Sequence, residues 1–207
     1  MTIKNLAIKR VEGASYKIAV RRSMVYFQHL HKCGFRARDT VYQVFASNVF
    51  HDGAVGEITL DVENRSLRLA LKNVWALDRV CWALPKKRPV RVQDADFRTT
   101  VTLHGVSQAR WLGLFDLSQP EYFAACLSGR PGAYIVDIAF HGVMWNDFCW
   151  LNVHFRSMAM NDIEPNLKKY KRYMDAAARQ KISALPRYAD PGVEAEHNRR
   201  MLKRWKR

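Results

Sequence analysis

The residues of this chain best suited to chemistry are cations, and the chemistry they suit is capture of an anionic partner. Between Arg199 and Arg207, six residues are Lys or Arg (Arg199, Arg200, Lys203, Arg204, Lys206, Arg207) and the other three are large and apolar (Met201, Leu202, Trp205). From Lys168 onward 13 Lys and Arg face four acids, so this stretch carries +9 of the chain's +15 and leaves +6 for the first 167 residues. Cations at this density neutralise phosphates or carboxylates. On a helix, Arg199, Arg200, Lys203 and Arg204 supply charge and Trp205 an anchor. The surface they suit is an acidic protein groove, a nucleic acid or an anionic membrane. The plain alternative is a solvated helix that docks Leu202 and Trp205 on its own domain. A second basic patch, Lys86, Lys87 and Arg88 with Arg91 nearby, lies beside Pro85 and Pro89. It either extends the same positive surface or is a solvated loop.

Other titratable groups point to chemistry more weakly. His29, His31 and Cys33 alternate, and on a strand they would share a face able to hold a metal. The flanking pattern is helical, where neighbours two apart diverge, and no second ligand pair follows at zinc-like spacing. No metal and no cofactor are therefore expected. His104, His141 and His154 sit near strand ends, and Asp137 interrupts an apolar strand. A histidine there could serve as general base in metal-independent RNA cleavage, or simply be hydrogen-bonded in place. The sequence has no G-x-S-x-G, no phosphate loop and no H-E-x-x-H. Gly53-Ala54-Val55-Gly56 has the spacing of a G-x-x-G clamp without its basic residues. Phe148 and Trp150 share one face of a predicted strand with Asn152 and His154. That face is either covered or a stacking platform for bases.

Positioning these residues falls to a mixture of strands and helices. Ile3–Val20 reads as strand, turn, strand, with Tyr16, Ile18 and Val20 alternating. Met24–Phe50 has helical spacing, broken at Cys33-Gly34 and resuming near Asp39. Glu57–Lys72 reads as a hairpin turning at Asn64-Arg65. Val74–Leu84 is ambiguous. Phe97–His104 and Arg110–Leu114 are predicted strands. Ser118-Gln119-Pro120-Glu121 has the form of a helix start with a capping box, and Gly129 and Pro131 mark its end. Ala133–Phe140 and Asp147–Phe155 are predicted central strands, with Leu151 and Val153 toward the core. Asn161 or Asp162 caps, and Pro165 opens, a predicted helix to about Ser183. After Asp190-Pro191-Gly192 a last helix is expected over Val193–Lys206.

The whole reads as an α+β protein, a mostly antiparallel sheet flanked by helices over 1–185, with a basic helical tail over 186–207. With 48% apolar residues, a chain this long buries a sizeable core without disulfides. Cys33, Cys81, Cys126 and Cys149 are scattered and read as reduced thiols. The first ten residues are too charged for a signal peptide, and no apolar run approaches the roughly 20 residues of a membrane span. The expectation is a cytoplasmic protein with no integral membrane segment. A body of this size and charge without a catalytic signature, ending in Arg199 to Arg207, resembles the fertility-inhibition proteins by which one conjugative plasmid blocks transfer of another. The resemblance implies a target, the coupling ATPase of the transfer machinery, and assigns no role to any single residue. The function expected is that of a non-enzymatic binding protein that inhibits or regulates a nucleic-acid-handling machine. The alternatives are a DNA- or RNA-binding module and a metal-independent RNA-processing nuclease.

Overall fold

The computed structural model describes residues 16–46, 50, 53–72, 97–113, 120–142, 148–161, 164–165 and 189–204. Helix α1 spans Tyr16–Lys32 and α2 Thr40–Phe45. Strands β1 (Gly53–Asp61), β2 (Ser66–Lys72), β3 (Phe97–His104), β4 (Gln108–Leu112), β5 (Glu121–Arg130), β6 (Ala133–His141), β7 (Phe148–Phe155), β8 (Ser157–Met160) and the two-residue β9 (Glu164–Pro165) follow, and helix α3 covers Pro191–Arg204. The architecture is α+β, with every strand pair antiparallel.

The strand order is β4-β7-β6-β5-β1-β2-β3-β8, with β9 on β3. Its two ends are joined by the chain itself. Only Gly105–Ser107 separate β3 from β4, and only Arg156 separates β7 from β8. The bent strand β3/β4 therefore pairs along its length with the bent strand β7/β8. His104 faces Ser157 and Gln108 faces His154. Across the bend, Ser107 N–H donates to His154 O (3.0 Å) and Arg156 N–H to His104 O (2.9 Å). Three residues against two make a bulge there, and bulges bend strands. The sheet thus closes on itself as a six-stranded antiparallel barrel. Its thinnest seam is β1–β5, held by Gly53↔Tyr122 and Ala54↔Glu121. Helix α1 packs on β5 beyond that seam, where Tyr26 Oη accepts the Leu127 N–H at 3.0 Å.

The barrel's inner face is the core. Along β7, Cys149, Leu151, Val153 and Phe155 are buried, while Phe148, Trp150, Asn152 and His154 on the other face are half-buried. This is the predicted register. Leu67, Leu69 and Leu71 of β2 and Val136, Ile138 and Phe140 of β6 face the same interior. Helix α2 packs against it, with Phe45 edge-on to Phe155 and Phe50 edge-on to Tyr122.

Three predicted elements are corrected. Ser15–Val20 is not a strand, since Tyr16–Val20 is the start of α1. A period-two run of three residues is also compatible with a helix, and the longer set Val20, Phe27, Leu30, all buried, has helical spacing. Nor does Pro120-Glu121 open a helix, because Glu121–Arg130 is strand β5. The capping box is a local signal, overridden by a nine-pair ladder to β6. Glu121 turns its carboxylate to His141 (3.3 Å). The glycine and proline read as a helix end instead make a hairpin. Pro131 and Gly132 (φ 80°) form its two-residue turn, the positive φ being the reason for glycine. Likewise Pro165 belongs to β9, not to a helix. The first predicted strand, Val74–Leu84 and the rest of the helix toward Ser183 lie outside the described residues.

Candidate anion-binding face

The basic segment at the C-terminal end becomes a helix by local chemistry. Asp190 caps α3: its Oδ1 accepts from Gly192 N–H (3.1 Å) and its backbone oxygen from Val193 and Glu194 N–H. Pro191 sits in the first turn, where no N–H is needed, so the helix begins two residues earlier than predicted. Glu194 Oε1 accepts from Ala189 N–H. Lys203 and Arg204 occupy the last turn, where cations complement the helix dipole.

Helix α3 lies antiparallel along α1. His31 Nδ1 is 3.3 Å from Asp190 Oδ1 at one end, and Asn198 Nδ2 donates to Ser23 Oγ (3.2 Å) further on. Pro191 and Ala195 are buried, with Asn198 and Leu202 half-buried on the same stripe. At Gly192 an added Cβ would stand 2.8 Å from the His31 ring, so glycine there permits the close approach.

This pairing brings two sets of cations together. Helix α1 has Lys17, Arg21, Arg22 and Lys32 and not a single acid. By the antiparallel geometry its N-terminal half runs beside the C-terminal half of α3. The residues predicted to bind divide into two groups. Arg199 and Arg200 are exposed but both grip Glu196, at 2.6 and 3.1 Å. Hydrogen bonding by Arg200, then by Arg199, holds the Glu196 carboxyl below its ordinary range. Lys203 and Arg204 are exposed and, among the described residues, no acid lies in ion-pair range of either. Trp205, Lys86, Lys87 and Arg88 lie outside the described residues. Sequence reasoning missed the contribution of α1. Its signal was legible, 17 residues with cations and no acid, but was split by reading its first turn as a strand.

Among the described residues, the contacts seen do not join His104, His141 and His154 to one another. His104 is exposed at the end of β3. His141 is buried, with Nδ1 3.0 Å from Gly142 O and Nε2 facing Glu121. On the outer face of the sheet Asn152 Nδ2 donates to Asp137 Oδ1 (2.8 Å), and Gln108 Nε2 donates to Asn152 Oδ1 (3.2 Å) and lies 3.4 Å from His154 Nε2. This row orders the sheet surface and contains no nucleophile. Phe148 and Trp150 stack on that face at 6.3 Å. His29 and Cys33 lie 3.6 Å apart on α1, and among the described residues no three His, Cys, Asp or Glu are grouped to hold a metal. Burial pushes the Cys126 thiol up to about 12, helped by Asp137. A thiol so raised is a poor nucleophile. No helix among the described residues is long and apolar enough to cross a membrane. No protein-family model and no curated protein sequence matches the chain.

Proposed function

We propose that this chain is a binding protein without catalytic chemistry of its own, which regulates or inhibits a nucleic-acid-handling machine by pressing the basic α1/α3 face against an acidic protein surface. One observation carries the reading. The cations of α3 sit on a helix docked along an acid-free, cation-bearing helix. A docked helix presents its charges with little ordering entropy left to lose on binding, which favours a specific interface. The Glu196 bridge supports a protein partner over nucleic acid. It lowers the net charge that Arg199 and Arg200 present, which weakens the pull on a polyanion such as nucleic acid more than on a local acidic patch. The resemblance to fertility-inhibition proteins makes the coupling ATPase of conjugation the first partner to test.

The experiment is co-elution of the chain with a purified coupling ATPase near physiological salt, set against binding to DNA and RNA across a salt series. The expected result is a complex with the ATPase and only weak binding to nucleic acid, equal for all sequences. A steep salt dependence on nucleic acid with no ATPase complex would transfer the same face to phosphate backbones, since each neutralised phosphate releases condensed counterions.

A further inference from the structure

We propose a second site, independent of the α1/α3 face: the cleft between the α1–α2 link, the β5–β6 turn and the β7/β8 bend binds a small phosphate ester of nucleotide size, its phosphoryl group held by Arg36, Arg38 and Arg156. The cleft has a volume of about 480 Å³, and these three arginines line it together with Tyr134, Ser157 and Asp39. That volume lies in the range of pockets for small ligands, roughly 300–1,000 Å³.

The backbone that presents the arginines is fixed before any ligand arrives. Helix α1 ends in a Schellman turn: Phe35 N–H donates to Leu30 O, Gly34 N–H donates to His31 O, and Gly34 takes φ 91°. Phe35 and Leu30 are fully buried, closing that turn against the core. Next, Asp39 N–H donates to Arg36 O (3.0 Å), and the buried Gln43 donates through Nε2 to Ala37 O (2.7 Å). Arg36 and Arg38 thus alternate on a pinned loop with both side chains exposed. Arg156 is the single residue at the β7/β8 bend. Its N–H is held by His104 O, and its side chain lies along Gly105, where an added Cβ would stand 3.0 Å from the Arg156 Cβ.

Electrostatics decide the sign of the ligand. Among the described residues Asp39 is the cleft's single acid, and both its oxygens are engaged. Oδ1 accepts from Val41 and Tyr42 N–H to cap α2, and Oδ2 accepts from Tyr134 Oη at 3.1 Å. Desolvation and the Asp39 charge raise the Tyr134 hydroxyl above its ordinary range, so it stays a neutral donor. Arg36 gives one N–H to Phe35 O. Among the described residues no acid pairs with Arg36, Arg38 or Arg156. Three arginines from two distant stretches of chain therefore line one cleft, and the one carboxylate that the described residues put there is turned to structure. Planar forks pair with carboxylate and phosphate oxygens alike; three cations with no free acid among the described residues favour the doubly charged phosphoryl group over a singly charged carboxylate. The Ser157 hydroxyl is left for the ester side of the ligand.

The phosphoryl group could belong to a free nucleotide or to the end of an oligonucleotide, and the test separates these sources. Binding is measured by calorimetry at constant ionic strength with adenosine 5′-monophosphate, adenosine, pyrophosphate, and one oligonucleotide with and without a 5′-phosphate. The expected result is binding of the monophosphate and pyrophosphate, none of adenosine, and at least a tenfold loss in Arg38→Ala and in Arg156→Ala. Arg156→Lys keeps the charge without the fork and should lose affinity by an intermediate factor. These side chains are exposed, so the ligand-free variants should melt with wild type. Tighter binding of the 5′-phosphorylated oligonucleotide than of the monophosphate assigns the site to strand ends. Two outcomes overturn the proposal: adenosine binding as well as its monophosphate, or phosphate binding unchanged in both alanine variants. A Lys203→Glu/Arg204→Glu variant should retain the monophosphate, which separates this site from the helical face.

Discussion

At the scale of single residues, burial decides most outcomes. Leu151 is fully buried in β7, and Leu151→Ala should destabilise the protein by about 2–5 kcal/mol through lost transfer energy and the cavity left behind. Chemical denaturation of the two proteins measures this. The thiols should differ in the same way. Cys33 is half-buried, whereas Cys126 and Cys149 are buried with raised pKa values. Under native conditions a thiol reagent should modify Cys33, with Cys126 and Cys149 modified only on unfolding, as peptide mass spectrometry would show. Cys126 also sets a pH dependence. Its thiol rises from an ordinary 9.0 to about 12 in the folded protein. Above pH 9 the unfolded chain can lose this proton while the folded one cannot. The stability from this group is therefore full below pH 9 and falls progressively toward pH 12. Urea midpoints across that range test the sign. The sequence already told which residues of β7 point inward, because strict alternation has one reading. It did not tell that Asp137 faces outward to Asn152, because a lone carboxylate in an apolar strand carries no facial information.

Elements were legible where their periodicity ran long and failed where a local signal stood alone. The β1–β2 hairpin and the β6 and β7 strands carry five or more residues of consistent pattern, and each is found. The capping-box sequence at Pro120 is real chemistry for a helix start, yet β5 forms there because pairing with β6 satisfies its backbone. The first turn of α1 was misread for a related reason, since three alternating apolar residues fit both periods. The pairing of α1 with α3 was not legible, because it depends on Gly192 meeting His31 and Asn198 meeting Ser23. That pairing can be tested directly. Ala195 is buried on the inner side of α3, so Ala195→Glu places a charge there and should destabilise by at least about 2 kcal/mol. The exposed Arg200→Ala should lie within about 0.5 kcal/mol of wild type. Equal melting of both variants and wild type would mean that α3 does not rest on the body.

For the whole molecule, the asymmetric charge was readable from composition and the barrel was not. Closure depends on two bends, at Gly105–Ser107 and at Arg156, which let one strand pair serve both ends of the sheet. No local pattern announces such a ring. The same bend carries Arg156 to a cleft shared with Arg36 and Arg38, so that cluster exists only in the folded chain. The two positive features lie toward opposite ends of α1. The phosphate cleft lies by Gly34, at the C-terminal end of α1, while Lys203 and Arg204 lie toward its N-terminal half. The surface proposed to bind the partner is the α1/α3 face. Its most direct test is the affinity for the coupling ATPase of a variant carrying Arg21→Glu, Lys203→Glu and Arg204→Glu, compared with wild type. These side chains are exposed or half-buried without an acid partner among the described residues, so the variant should fold and melt close to wild type. At least a tenfold loss of affinity is expected, with adenosine 5′-monophosphate binding unchanged. Undiminished affinity in the folded triple variant would contradict that role for the face.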